Sequence, residues 1–282
     1  MARVTSCACP ELPVQPDGPN PYDLQYGATN VNAALGSGAL TAAYSRCGEL
    51  TVLKWPGPSF YSQLDYLSSN AYLAWAELPQ LADRHAVTIN PVPVLFAGLL
   101  EASGQLGPAE VPAKSFWMVK NNARKAMLLG VPLNPPAFHP FNPLLALRVS
   151  SLSLAPAVRR ALIDAIFQAV WVRGLHVSEP AVVERVADEI GLRGGDLVAE
   201  AGRPESKARL RQQTDDAITR GVFGVPSMAV GDEIFWGYDD FPHLELFLAG
   251  KDPLRSASWE KWSGPPQPSA VRRRLRPKDE AR

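Results

Sequence analysis

Residues 60–96 read FYSQLDYLSSNAYLAWAELPQLADRHAVTINPVPVLF. The run from Phe60 to Leu67 follows the breaker Trp55-Pro56-Gly57-Pro58 and is predicted as a strand. It leads into Ser68-Ser69-Asn70, three residue types that cap helices well because a short side-chain oxygen can accept a first-turn amide. Beyond them Leu73, Ala76, Leu78 and Leu81 recur at roughly helical spacing, and Pro79, without an amide hydrogen, is expected to interrupt or kink the helix. The β-rich AVTINPVPVLF at 86–96 supplies a second strand. Strand, helix, strand make a βαβ unit, the right-handed crossover of an α/β fold.

Downstream, strand signals nearly vanish from Ala97 to Arg220. Helical patterns replace them at Lys114–Leu129, Pro143–Val149, Ala157–Leu175, Pro180–Ile190 and Ser206–Arg220, while five prolines between Pro132 and Pro143 predict an irregular loop. Strands return at Ser227–Val230 and Glu233–Trp236 around the turn pair Gly231-Asp232. A last helix is expected to start near Asp239-Asp240, with Pro242 in its first turn and Gly250 closing it. The order βαβ, helices, ββα is that of a thioredoxin-like fold with an inserted all-helical domain. The expected organisation is an N-terminal extension (1–59) with a hairpin at Leu40–Leu53, a thioredoxin-like domain (60–96 and 221–250), the helical insertion (97–220) and a flexible tail (251–282) ending RRRLRPKDEAR.

Composition narrows the partners. Lys plus Arg and Asp plus Glu are both 28 in 282 residues, so no global field favours nucleic acid or an anionic membrane, and 46% hydrophobic residues suffice for a full core. No segment approaches the roughly 18–20 consecutive apolar residues that span a bilayer, and the proline-broken N-terminus is not expected to act as a secretory signal. Cys7, Cys9 and Cys47 are a poor basis for a disulfide framework and suit a reducing cytoplasm. No CxxC, P-loop or dinucleotide-binding glycine pattern is present, and His85, His139, His176 and His243 are scattered without metal-ligand spacing.

Six short stretches carry a family resemblance: GVFGVP at 221–226, FWGYDD at 235–240, DYLSSNAYL at 65–73, PAK at 112–114, GVP at 130–132 and FNP at 141–143. Together they span Phe60 to Gly250, and in them the chain resembles the group of 2-hydroxychromene-2-carboxylate isomerases and kappa-class glutathione transferases. The resemblance implies that the working thiol belongs to bound glutathione. Ser68, where strand gives way to helix, would then donate a hydrogen bond to the sulfur, in a place where free amides and the helix dipole favour a thiolate. The bare residue pattern fits a simple helix cap equally. Val225-Pro226 is similar to the family's cis-proline site, where Val225 would pair with the cysteinyl backbone. Asp239 would hold the γ-glutamyl ammonium, with Tyr238 beside it and capping of the last helix as its other reading. Lys114 would face a glutathione carboxylate, and Gln105 stands where the family often has asparagine. Asn142 is read as a cap for the helix that follows it.

What the resemblance implies for activity is a cis-trans isomerisation of a small, ring-opened aromatic acid in a bacterial catabolic pathway, with a homodimer possible and an apolar pocket built from residues such as Phe116 and Trp117. A glutathione transferase or peroxidase on the same scaffold, or a glutathione-binding protein with impaired catalysis, are the alternatives. One departure bears on the choice: the family's Ser-Pro-Tyr reads Ser68-Ser69-Asn70 here, which leaves open which of the two serines faces the sulfur.

Overall fold

The structure is a computed structural model that describes residues 41–44, 50–53 and 59–255. The cysteines, the rest of the N-terminal extension and most of the basic tail lie outside the described residues. Strands β1 (Thr41–Tyr44) and β2 (Leu50–Leu53) pair antiparallel, Thr41 opposite Leu53, as a separate unit.

In the larger unit a four-stranded sheet has the order β4-β3-β5-β6. Strand β3 (Ser59–Leu64) runs parallel to β4 (Thr88–Pro93), with Phe60 opposite Ile89, and antiparallel to β5 (Ser227–Val230). The hairpin partner β6 (Glu233–Trp236) forms the edge. Helix α1 (Ser69–His85) crosses between β3 and β4 and buries Ala71, Tyr72, Leu73, Ala74, Trp75, Leu78, Leu81 and Ala82. Pro79 is exposed and does not end it; the helix stops only at Ala86, whose left-handed backbone lets its amide reach Ala82 and Asp83.

Between the two halves of the sheet domain the chain forms α2 (Phe96–Ser103), α3 (Pro112–Leu129), α4 (Leu144–Ser150), α5 (Pro156–Trp171), α6 (Pro180–Glu189), α7 (Gly194–Ala201) and α8 (Pro204–Thr219). After β6 a 3-10 turn at Tyr238–Asp240 leads into α9 (Phe241–Leu248). Two of these helices, α2 and α7, go beyond the sequence expectation. The first is hidden in the apolar FAGLLEAS, which continues the strand-like run before it, and the second starts with Gly194-Gly195.

The inserted helices do not enclose a core of their own. One apolar cluster joins Phe60, Leu64 and the inner face of α1 to Leu147, Leu162, Ile163, Ile166, Phe167 and Val186. Tyr66 ties the two parts together: its ring meets Phe167 edge-on at 4.8 Å, its hydroxyl lies 2.5 Å from Ser150 Oγ, and its carbonyl accepts from Trp171 Nε1 at 3.0 Å. Ser150 directs its own hydrogen at Ala146, so Tyr66 is the donor of that pair. The opposite face of the sheet is covered by a smaller cluster of Val94, Leu99, Ala217, Val222 and Val225, supplied by α2, α8 and the loop before β5. No helix among the described residues is long and apolar enough to cross a membrane.

Gly194 marks the tightest helix contact. A Cβ there would sit 2.1 Å from the Glu184 carbonyl oxygen, a backbone atom that only a shift of α6 can move. Gly194→Ala is therefore expected to lower unfolding stability by about 1–3 kcal/mol in urea denaturation. An unchanged midpoint would show that α6 and α7 separate without cost.

Candidate active site

The site begins with the way β3 ends. Asp65 is fully buried; its Oδ1 accepts the Leu67 amide at 2.9 Å and its Oδ2 accepts the Phe96 amide at 2.9 Å. These bonds turn the chain out of the ladder after Leu64, three residues short of the predicted strand end. Burial pushes the Asp65 carboxyl up to about 6, against the pull of the two amides. The turn continues with the Ser68 amide donating to the Asp65 carbonyl at 3.1 Å, which delivers Ser68 in extended conformation to the start of α1.

Ser68 caps α1, its Oγ accepting the Ala71 amide at 3.1 Å. The same Oγ lies 3.4 Å from the Val225 carbonyl oxygen, a donor contact at the long end of hydrogen bonding. Ser69 turns away, with Oγ accepting from Asn122 Nδ2 of α3 at 2.6 Å. Ser68 is thus the serine on the Val225 side.

The Val225-Pro226 peptide is cis. The loop carrying it is held by Ser227 Oγ donating to the Gly224 carbonyl at 2.8 Å and by the Gly237 amide donating to the Pro226 carbonyl at 2.8 Å. Gly224 is required by packing, because a Cβ there would fall 2.5 Å from the indole Nε1 of Trp236. A second cis proline, at His139-Pro140, lies in the proline-rich loop, where the His139 ring bonds the Leu67 carbonyl at 2.9 Å.

On the other side of the α1 N-terminus lies a charge pair that sequence reasoning missed. Lys125 of α3, its side chain only 9% exposed, places Nζ 2.7 Å from Asp239 Oδ2 and 3.4 Å from Asn70 Oδ1. The ammonium also lies 5.5 Å from the centre of the Tyr238 ring. Burial, with the Glu77 and Asp239 carboxylates nearby, pushes the Tyr238 phenol above its ordinary range. No short motif flags Lys125; the one signal is a lysine on the inward face of an amphipathic helix, between buried Asn122 and Ala126.

The remaining expectations divide. Asn142 Oδ1 accepts the Leu144 amide at 3.0 Å in a turn just ahead of α4, whose N-cap position itself is Pro143 and has no side-chain cap bond. Gln105 and Lys114 are exposed, and neither side chain hydrogen-bonds or ion-pairs with a described residue; nothing brings them to Ser68 or Asp239. Phe116 and Trp117 are 65% and 56% exposed on α3 and do not wall an enclosed apolar pocket, because they lie on the side of α3 away from the shared core. The cavity beside Asp239, of about 250 Å³, is lined by Glu77, Tyr238, Phe241, Pro242 and Glu245 and is acidic. No cluster of three or more metal-ligating side chains occurs among the described residues.

A β4-β3-β5-β6 sheet, inserted helices and a cis-proline loop facing a helix N-terminus define a DsbA-like thioredoxin protein. The chain belongs to the DSBA-like thioredoxin domain family, matched over residues 60–249, and within it to the group of 2-hydroxychromene-2-carboxylate isomerases and kappa-class glutathione transferases. It is 30% identical over 192 residues to the 2-hydroxychromene-2-carboxylate isomerase of Sphingobium xenophagum, covering 65% of this chain and 94% of that one. To the Pseudomonas putida isomerase it is 31% identical over 183 residues, covering 64% and 89%. A solved 2-hydroxychromene-2-carboxylate isomerase superposes with a TM-score of 0.64 at 29% identity, over 68% of this chain and 95% of that one. Glutathione S-transferase kappa 1 of Caenorhabditis elegans is 24% identical over 219 residues, covering 71% and 94%. The chain stands among enzymes.

The Asp65 carboxyl makes this region pH-sensitive. Its value rises on folding from 3.8 to about 6, so the folded state keeps the proton longer. Its contribution to stability is complete below the unfolded value and is lost as pH rises through the folded one. Between about pH 3 and pH 7 the wild type should lose about 3 kcal/mol relative to Asp65→Asn, which cannot ionise. Parallel urea-denaturation profiles for the two proteins across that range would contradict this assignment.

Proposed function

We propose that this protein is a glutathione-dependent isomerase acting on an aromatic-catabolism intermediate of the 2-hydroxychromene-2-carboxylate type. The observation that carries the reading is the Ser68 hydroxyl, 3.4 Å from the Val225 carbonyl beside the cis Val225-Pro226 bond. The chain has Ser-Ser-Asn-Ala at 68–71, with no cysteine at this helix start, and the reading takes the thiol from a bound molecule. Bound at this helix start, glutathione would supply a thiolate for reversible addition to a conjugated double bond, the chemistry a cis-trans isomerisation needs.

The residues present fit such a tripeptide. Ser68 holds its hydroxyl hydrogen in a long contact that can re-aim at a sulfur without losing the capping bond, in which Oγ is the acceptor. The α1 N-terminus adds amides and a positive dipole end, which lower a thiol's pKa from its free value of about 8.5. Val225 presents backbone to the cysteinyl portion, and Asp239, with a side chain 70% exposed, is open to the γ-glutamyl ammonium. Tyr238 supports Asp239 from the same turn; Lys114 on α3 and Gln105 in the loop before it, both exposed, belong to the reading only as what the family resemblance implies. A cytoplasmic setting and a homodimer belong to the same reading.

A transferase on the same site is the second reading, favoured by the kappa-class relatives, which align over 68–75% of this chain. Titration calorimetry with millimolar glutathione should give saturable binding; its absence sinks both readings. Turnover then separates them. The isomerase reading expects activity on 2-hydroxychromene-2-carboxylate exceeding conjugation of a chlorodinitrobenzene-type acceptor. Ser68→Ala should reduce turnover about 10–100-fold, the value of one hydrogen bond to a charged group. Unchanged turnover would remove Ser68 from its role.

A further inference from the structure

We infer that Lys125 is a glutathione-binding residue that receives the α-carboxylate of the γ-glutamyl end while its partner Asp239 receives the ammonium of the same group; this rests on the glutathione reading above. A lysine this buried requires anionic company, which Asp239 supplies, but its hydrogen bonding is not filled. Of the three N–H bonds on Nζ, one is directed at Asp239 Oδ2 and one at Asn70 Oδ1, and the third has no acceptor among the described residues. Asp239 is the converse case: its Oδ1 accepts from no described residue. The pair therefore offers one free donor and one free acceptor side by side, the pattern that an α-amino acid zwitterion complements.

Two further observations place the pair at this site. Asn70 sits two residues after Ser68 and holds Lys125 from the first turn of α1. The Tyr238–Asp240 turn is tied back to the cis-proline loop through the Gly237 amide and the Pro226 carbonyl. The α1 start thus contacts Val225 through Ser68 and the Lys125–Asp239 pair through Asn70, and a tripeptide with its sulfur at Ser68 would have its γ-glutamyl end at Lys125. Glutathione carries a free α-amino acid at only one end, so the pair also sets the direction in which the peptide lies. Specificity follows: a thiol peptide lacking the α-carboxylate leaves the buried ammonium without its third partner.

The test compares glutathione with γ-aminobutyryl-cysteinylglycine, which lacks that carboxylate, and glutaryl-cysteinylglycine, which lacks the ammonium. Calorimetry on the full-length wild type should show each analogue binding about 10-fold or more weaker than glutathione. In Lys125→Met the affinity for glutathione should fall to the level of γ-aminobutyryl-cysteinylglycine, with that analogue bound as well as by the wild type. Lys125→Arg should restore the discrimination. Equal wild-type binding of glutathione and γ-aminobutyryl-cysteinylglycine overturns the assignment, and needs no variant to fold. So does a Lys125→Met protein that weakens all three peptides by one factor, the result expected if Lys125 only ties α3 to Asp239. If the wild type binds none of the three, the glutathione reading itself falls, a result distinct from both.

Discussion

The Asp65 carboxylate accepts one amide from its own turn and one from the start of α2, and the positions of three elements follow from it. It stops β3 at Leu64, sets the turn that brings Ser68 to the head of α1, and pins the beginning of α2 at Phe96. A buried carboxyl is a costly way to end a strand, and the cost shows in its raised pKa. Apolar residues could fill the same volume, but they could not accept the amides of both Leu67 and Phe96. Around this point the buried faces of α1, α4 and α5 close a single core, with Tyr66, the next residue, bonded to both Ser150 and Trp171.

The α1 N-terminus that results is addressed from two directions by distant parts of the chain. Val225, 157 residues away, brings its carbonyl to Ser68, and Lys125 and Asn122 of α3 engage Asn70 and Ser69. The departure of Ser68-Ser69-Asn70 from the family's Ser-Pro-Tyr thus has a structural counterpart. Each of the two changed side chains is hydrogen-bonded by α3, and the second holds the lysine that pairs with Asp239. The first turn of α1 is a polar junction.

Much of this was legible in the sequence where a local rule applied. Strand character around the Gly231-Asp232 turn placed β5 and β6 at their observed limits, and the cap-type residues at 68–70 located the start of α1. Rules of one residue failed where neighbours decide: Pro79 does not break α1, and Gly194 opens a helix where α6 lies too close for a side chain. The site divided on the same line. Ser68, Val225, Pro226, Tyr238 and Asp239 stand in recognisable stretches and cluster around one helix start, whereas Gln105 and Lys114, equally recognisable, remain exposed. Lys125 was invisible because its meaning lies in Asp239, 114 residues later, and Ser69 could not be told from Ser68 until Asn122 was found against it.

The central claim is that Ser68 and the Val225-Pro226 loop form one site that holds a borrowed thiol as its anion. Thiolates absorb in the ultraviolet where thiols do not, so a pH titration of the protein–glutathione difference spectrum reads the claim directly. The account predicts that bound glutathione ionises well below the free-thiol value of about 8.5, and that the shift is reduced in Ser68→Ala. Bound glutathione that ionises at its free value, or a shift indifferent to Ser68, would contradict it.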